Sequence, residues 1–255
     1  MKYIFKYLLI FTLLCSLESF ANIGGTLLIV HPSRTFDPNQ VAKKGIEEII
    51  SYYDNLSLPV LHINHDDDSI FSSYPKDLDS YYIHPKPHHI LFFDYSGSVE
   101  HTYKYTNEVT IVGGYYYFCL AKATGYVIAN WEKQRNPGEI LTINLYMPGI
   151  FTVSKGNYLG PKSKEPWPYP LPEYTDLPSE VTTLNTCDTE REFDNYFYGV
   201  SHINLDSIGS ANVENEESLI YKNYHYLKLM CGNKLIATYG NIKNPEIIIR
   251  FIDKI

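Results

Sequence analysis

The sequence predicts an α/β protein, with a mainly parallel sheet covered by helices on both faces and an α+β C-terminal part. Residues 26–30 and 109–112 are short, continuous apolar runs, which is the pattern of strands buried on both faces. Residues 41–53 repeat apolar side chains at helical spacing, as expected for a helix that packs one side on a sheet. After Pro148 the composition shifts to prolines and shorter strand-like segments, so a different architecture is expected there.

The first predicted unit is a strand, a helix and a second strand. Residues 26–30 run into a loop that starts at His31, and Asp37 followed by Pro38 is a helix-start signal. The helix leads to a strand over residues 58–63. Short links of this kind join parallel strands through a right-handed crossover, so both strands are expected in one parallel sheet.

The next two strands are predicted over residues 90–93 and 109–112. Residues 64–87, which precede them, are polar and interrupted by prolines, and connections of this length are usually functional or flexible. The pair Gly113–Gly114 follows the fourth strand and allows a sharp turn. A helix over about residues 115–134 is expected after that turn.

A fifth strand is predicted over residues 140–145, and a proline-rich connecting segment over residues 155–178. The C-terminal part is expected either to form a second domain or to extend the first sheet. Its pair Gly232–Asn233 is a hairpin signal. A helix is predicted over residues 188–198, and strands are predicted over residues 181–184, 200–205, 226–231, 234–239 and 247–252.

The N-terminus has the features of a signal peptide. Lys2 and Lys6 precede an apolar run at residues 7–17 that is too short to span a bilayer, and a small-x-small cleavage site ends at Ala21. We therefore expect an exported, periplasmic or extracellular protein without a membrane anchor. The predicted organisation is a signal peptide (1–21), an α/β domain (22–154), a connecting segment (155–178) and a C-terminal part (179–255).

The charge of the chain excludes one class of partner. The formal net charge is -8, and it becomes -9 when Lys2, Lys6 and Glu18 leave with the signal peptide. An acidic protein without a basic run is not suited to nucleic acid. The chain also holds 24 tyrosines, a residue type that serves binding surfaces and equally fills half-buried strand positions. An unknown small molecule or a protein is therefore the expected partner.

Cys119 is the candidate nucleophile, because it follows the glycine turn near the carboxyl end of a predicted central strand. Ligands of open α/β sheets bind at that edge. His31 ends the first strand and is the candidate base, and Asp94 ends the third strand and is the candidate residue that orients the imidazole. The alternatives are a buried, inert Cys119 and a structural His31.

The order of these features resembles the isochorismatase-like cysteine hydrolases over residues 25–145. The resemblance rests on a Tyr95–Ser96–Gly97 turn after the third strand, and on the spacing from Gly113 to Cys119. It implies a parallel α/β fold and attack of Cys119 on the carbonyl of a small amide or ester. The candidate binding residues are Tyr95, Ser96, Tyr115 and Tyr116.

The chain departs from the pattern of this family at two catalytic positions. The family uses Asp, Lys and Cys, whereas His31 stands here at the Asp position and Phe92 at the Lys position. Only Cys119 matches. Either His31 acts as the base in this protein, or the site has lost its chemistry.

A cluster of histidines and aspartates suggests a second kind of site. Imidazole and carboxylate are ligands that zinc accepts, and the resembled family includes hydrolases that hold a metal with this loop. The alternative is a solvated acidic turn, and apart from this zinc hypothesis no cofactor is expected. The candidate metal ligands are His62, His65, Asp66 and Asp68.

The mature chain would keep three cysteines, Cys119, Cys187 and Cys231. Export favours disulfides, and an odd number leaves one thiol free. Because Cys187 and Cys231 both lie in the C-terminal part, we predict a disulfide between them and a free Cys119.

These observations favour an exported, non-catalytic binding or effector protein on an isochorismatase-like scaffold. The first alternative is a Cys119-dependent hydrolase of a small amide or ester, and the second is a metal-dependent hydrolase. The sequence contains neither a G-x-S-x-G elbow nor a glycine-rich phosphate loop of the known kinds.

Overall fold

The computed structural model describes residues 24–34, 36–64, 89–92, 106–153, 181–187 and 225–255. The helices in these ranges are α1 (Lys43–Asn55), a short π-helix (Tyr116–Leu120) and α2 (Ala121–Gln134). None of them has both the length and the apolar character that crossing a membrane requires. The strands are β1 (Thr26–Val30), β2 (Val60–Asn64), β3 (His89–Phe92), β4 (Glu108–Gly113), β5 (Leu141–Val153), β6 (Val181–Thr183), β7 (Tyr226–Cys231), β8 (Lys234–Tyr239) and β9 (Glu246–Ile252).

The described strands form a single mixed sheet in the order β3-β2-β1-β4-β5-β9-β7-β8, with β6 paired to β5. Six neighbouring pairs are parallel, and β5–β6 and β7–β8 are the antiparallel pairs within the described ranges. The predicted α/β class with a mainly parallel sheet is therefore confirmed. Helices over the full width of both faces, and an α+β C-terminal part, stay predictions.

The described C-terminal strands extend the N-terminal sheet, which is one of the two arrangements that the sequence left open. Strand β9 lies parallel to β5, and β7 lies parallel to β9. The proposed domain boundaries stay predictions, because residues 155–178 lie outside the described ranges. The helix over residues 188–198 and the strand over residues 200–205 lie outside them as well.

Alternate strand residues divide the core into two clusters, one on each face of the sheet. The first core contains Leu28 and Val30 and receives apolar side chains from α2. The second core contains Leu27 and Ile29 and receives apolar side chains from α1. Helices α1 and α2 thus cover opposite faces of the central strands.

Helix α1 lies close to strand β5 because of a glycine. Gly45 faces the backbone of Pro148, and a Cβ atom at this position would overlap the Pro148 carbonyl group. At Pro148 the pairing of β5 with β4 is interrupted, because Ile111 pairs with Leu145 whereas Gly113 pairs with Ile150. The predicted end of the fifth strand near residue 145 is therefore too early, since β5 continues through an irregularity that accommodates the proline.

The C-terminal hairpin and the disulfide agree with the sequence predictions. Strands β7 and β8 have the predicted bounds and are joined through Gly232–Asn233. Cys187 and Cys231 form a disulfide with a Cα–Cα distance of 5.8 Å, and Cys119 is buried and not in a disulfide. The disulfide connects the chain just after β6 to the end of β7.

Candidate functional site

The candidate site lies where the neighbouring parallel strands β1 and β4 reach the carboxyl edge of the sheet. Val30 pairs with Gly113, and the Gly114 amide donates a hydrogen bond to the Val30 carbonyl oxygen at 3.1 Å. Gly113 has φ = 100°, and a Cβ atom there would overlap the Val30 backbone. The glycine is therefore required for the chain to leave β4 beside β1.

The turn after β4 leads into the π-helix that carries Cys119. The peptide bond between Gly114 and Tyr115 is cis, and the Leu120 amide donates to the Tyr115 carbonyl oxygen at 3.2 Å. The Cys119 side chain is 8% exposed and belongs to the first core, among apolar strand and α2 residues. The predicted helix start thus has the wider π form, and it turns the thiol into the core.

Asp37 is a fully buried carboxylate near this edge. Its two oxygens accept hydrogen bonds from the Val41 amide at 2.9 Å and the Ala42 amide at 3.0 Å. The prediction that Asp37 caps the helix is wrong, because the N-cap of α1 is Ala42 and the regular helix begins at Lys43. Because both oxygens bind the two backbone amides that directly precede α1, Asp37 has a structural role next to the site.

Aromatic rings connect the ends of three strands at this edge. The His31 ring lies 4.6 Å from the Phe36 ring, and Phe36 lies 6.2 Å from Tyr115. The Tyr115 ring in turn contacts Phe151 of β5 edge-on at 5.4 Å. His31 is fully buried, and φ is 50° at this residue. The rings pack the space between the strand ends.

The Tyr115 hydroxyl lies close enough to the Cys119 thiol and to the Asp37 carboxylate to interact with both electrostatically. Burial raises the pKa of Tyr115 above its ordinary value of 10, and the nearby Cys119 and Asp37 groups raise the pKa further. The phenol is therefore neutral at physiological pH. The hydroxyl is buried and has no hydrogen-bond partner within the described ranges.

The structure thus brings His31, Tyr115 and Cys119 of the predicted site to one edge of the sheet. Tyr116, a predicted binding residue, is fully buried instead, with its ring 6.3 Å from Phe251. Phe36 is part of the site but was not identified from the sequence, because nothing in the loop indicated that its ring fills the gap between His31 and Tyr115. Asp94, Tyr95 and Ser96 lie outside the described ranges.

The predicted metal ligands are described at one position only. His62 is a buried residue in the middle of β2, where it pairs with Ile29 and Ile90. His65, Asp66 and Asp68 lie outside the described ranges, and within those ranges no group of His, Cys, Asp and Glu could hold a metal ion. The zinc hypothesis stays a prediction about a loop that the structure does not describe.

Comparisons with known proteins give one structural likeness. No protein-family model matches the chain. No curated protein matches it. The crystal structure of a proposed hydrolase of the isochorismatase family from Chromobacterium violaceum is similar, with a TM-score of 0.35 and 17% sequence identity. The similarity covers 52% of this chain and 74% of that chain. A likeness of this size does not show what the chain does.

Proposed function

We propose that this chain is an exported protein that acts by binding a partner and not by hydrolysing a substrate. The observation that carries the proposal is the packing of Cys119, the side chain on which hydrolysis would depend. The thiol is 8% exposed and lies in the apolar first core. A nucleophile must reach the carbonyl carbon of its substrate, and a thiol enclosed by apolar side chains does not.

The other groups near Cys119 support the same conclusion. Both oxygens of Asp37 accept hydrogen bonds from the Val41 and Ala42 amides just before α1, so that carboxylate is occupied in holding the fold. His31 is fully buried and stacks on Phe36. The ends of these strands are therefore packed. In this proposal the chain keeps the scaffold of the resembled hydrolases, while Asp37 and His31 stabilise the fold and take no part in catalysis.

The proposal includes export, on the basis of the signal-peptide features of residues 1–21. The Cys187–Cys231 disulfide fits an oxidising compartment, where such bonds persist. Mass spectrometry of the protein recovered outside the cytoplasm is expected to show a mature N-terminus near Asn22. Recovery of an uncleaved chain confined to the cytoplasm would contradict this part of the proposal.

The proposal is tested by comparing wild type with Cys119→Ser on a panel of small amides and esters. We expect both proteins to show the same background rates, because the thiol takes no part. A hydrolysis rate that falls at least about a hundredfold in Cys119→Ser would contradict the proposal, since loss of a nucleophile has effects of that order or larger. The folded state of both proteins is checked by thermal unfolding.

One observation favours a Cys119-dependent hydrolase as the second candidate. Cys119 is the cysteine of the described ranges that is not in a disulfide, and the Tyr115 hydroxyl interacts electrostatically with Cys119 and with Asp37. In such an enzyme a neutral Tyr115 would donate a hydrogen bond to negative charge on the substrate oxygen. The same comparison separates the candidates, and Tyr115→Phe would lower the rate only if hydrolysis exists.

A further inference from the structure

The four strands β5, β9, β7 and β8 present a face that differs from the rest of the sheet. Their register places Asn144, Arg250, Met230 and Leu235 in one row across the sheet. The neighbouring row consists of Thr142, Ile248, Lys228 and Thr238, and Glu246 and Tyr226 follow toward the amino edge. We call these ten residues the open face.

The open face lies opposite the first core. The intervening residues Ile247, Ile249, Leu227 and Leu229 belong to that core, and successive strand residues point to opposite sides. Helix α1 lies on the same side as the open face but packs mainly on β1 and β5. Within the described ranges Ile252, at the end of β9, belongs to the second core with α1, whereas β7 and β8 add no residue to that core, and the Leu235 side chain is 50% exposed.

The composition of the open face suits a protein interface. Tyr, Met and Arg are enriched at the buried centres of interfaces, and Tyr226, Met230 and Arg250 lie here beside apolar Ile248 and Leu235. The Lys228 ammonium group lies 5.5 Å from the centre of the Tyr226 ring and 2.6 Å from a Glu246 oxygen. The charge of Lys228 is therefore already balanced by the chain itself.

Arg250 is different, because no carboxylate within the described ranges pairs with its guanidinium group. Its neighbour Asn144 is 1% exposed, and the Asn144 amide nitrogen donates to a Glu108 carboxylate oxygen at 2.8 Å. Since that oxygen only accepts, the orientation of the amide is settled, and Asn144 Oδ1 faces away from Glu108. Asn144 Oδ1 and Arg250 Nε are both buried without a partner in the described ranges.

We propose that the open face binds an extended segment of a partner protein that carries an Asp or Glu beside apolar side chains. Its carboxylate would pair with the guanidinium group of Arg250, which matches a carboxylate in shape and charge. Its apolar side chains would lie on Met230, Leu235 and Ile248. Lys228 is balanced by Glu246, so Arg250 is the cation of the open face that no carboxylate in the described ranges pairs with, and this local positive charge is complementary to an acidic side chain.

This inference rests on the proposed function, because it names the partner class of a binding protein. The probe is a phage library of random 12-residue peptides, selected on the folded protein with its disulfide intact. Enriched peptides are synthesised and titrated by fluorescence polarisation. We expect them to carry an acidic residue next to apolar ones, and to bind Arg250→Met about tenfold more weakly than wild type.

Lys243→Met is the matched control, because it removes the same charge from an exposed turn residue that is not one of the ten residues of the open face. It is expected to bind the peptides within about twofold of wild type. Leu235→Glu, at an exposed position, adds a negative charge to the open face without disturbing the core and is also expected to weaken binding. Failure to enrich acidic peptides, or equal binding by wild type and Arg250→Met, would overturn the proposal.

Two further outcomes are informative. If wild type is a dimer and Arg250→Met is a monomer, the face binds a second copy of this chain, and the proposal of a foreign acidic segment is wrong. Peptide binding is measured in parallel on Cys119→Ser. If hydrolysis depends on Cys119 while peptide binding still depends on Arg250, the proposed function is wrong, but the proposal that the open face binds an acidic segment is supported.

Discussion

The two halves of the sheet are stabilised in different ways. Strands β1 and β4 are covered on both faces, by α1 on one side and by α2 on the other, and their carboxyl edge is packed with aromatic rings. Among the described residues, β7 and β8 contribute to the first core alone, β9 adds only Ile252 to the second core, and a disulfide holds the end of β7. The N-terminal half is therefore covered on both faces at its centre, whereas within the described ranges no helix residue packs with β7 and β8 on the side opposite the first core.

The largest expected effect is on the C-terminal half, which depends on its covalent link. The replacement of Cys187 and Cys231 by alanine removes a cross-link between residues separated by 44 positions. The chain-entropy model assigns about 4 kcal/mol to a loop of this length. We expect a loss of that order in the free energy of unfolding, measured by urea denaturation.

The control for this double variant is Cys119→Ala, which leaves the disulfide in place. It creates a small cavity in the first core and is expected to cost about 1 kcal/mol. If the double variant is no less stable than Cys119→Ala, the cross-link is not what holds the C-terminal half.

The N-terminal half depends instead on close helix packing, and Gly45→Ala tests this. The added methyl group would overlap the backbone of Pro148, so α1 must move away from β5. We expect a loss of about 3 kcal/mol in the free energy of unfolding, in the upper range for overpacked sites. Ser51→Ala, on the exposed side of the same helix, is the control and is expected to change stability by less than about 0.5 kcal/mol.

A contrary result for Gly45→Ala would change the comparison of the two halves. Unchanged stability would show that α1 is not pressed against the irregular part of β5. In that case the N-terminal half would be the less tightly packed half, and α1 would not help to hold the packed edge around Cys119.

The link between the two halves is expected to depend on pH. His225, directly before β7, lies with its Nε2 atom 3.0 Å from a Glu132 oxygen of α2, and the Arg135 guanidinium binds both Glu132 oxygens at 2.8 Å. Burial acts to raise the pKa of Glu132, but the hydrogen bonds from Arg135 and His225 outweigh it. The pKa of Glu132 is therefore below its ordinary value of 4.5.

A lowered pKa means that the folded state favours the ionised carboxylate. The stabilisation is fully present above pH 4.5 and is lost as the pH falls through the pKa of the folded state. Glu132→Gln is expected to be about 1 kcal/mol less stable than wild type at pH 7, and this difference is expected to shrink below pH 4. Glu47→Gln, which removes the exposed partner of Lys43, is expected to show almost no difference at either pH.

These expectations are checked by thermal unfolding of the three proteins between pH 3 and pH 7. A difference between Glu132→Gln and wild type that grows toward low pH would have the wrong sign. It would show that Glu132 is not held in its ionised form by its neighbours.

Sequence patterns predicted the elements well where local signals and burial agree. Strands β1, β7 and β8 were found at their predicted bounds, because each is an apolar or alternating run bounded by turn residues. Strand β5 is longer than predicted, because a proline such as Pro148 interrupts a strand only where the backbone amide that it lacks would have to donate a hydrogen bond to a neighbouring strand. Because the pairing of β5 is irregular at Pro148, no such hydrogen bond is required there, and no local sequence pattern indicates this irregularity.

The candidate site was predicted only in part, for a similar reason. The positions of His31 and Cys119 follow from strand ends, which a sequence can indicate. The ring contacts of Phe36 with His31 and Tyr115 depend on how distant segments meet, and so does the turning of Cys119 into the core. Asp37 was predicted to be the helix cap, which it is not, and its full burial near Tyr115 became evident only in the folded chain.

The rate at which iodoacetamide alkylates Cys119 in the folded protein tests the central claim most directly. The protein used is the mature form from residue 22 onward, which lacks Cys15, and Cys187 and Cys231 are in a disulfide, so without reductant the label reports on Cys119. We expect alkylation in the folded state to be at least about a hundredfold slower than in guanidinium chloride, because a core thiol reacts only when the structure opens. Similar rates in the two states would contradict the claim and would make Cys119 an accessible nucleophile.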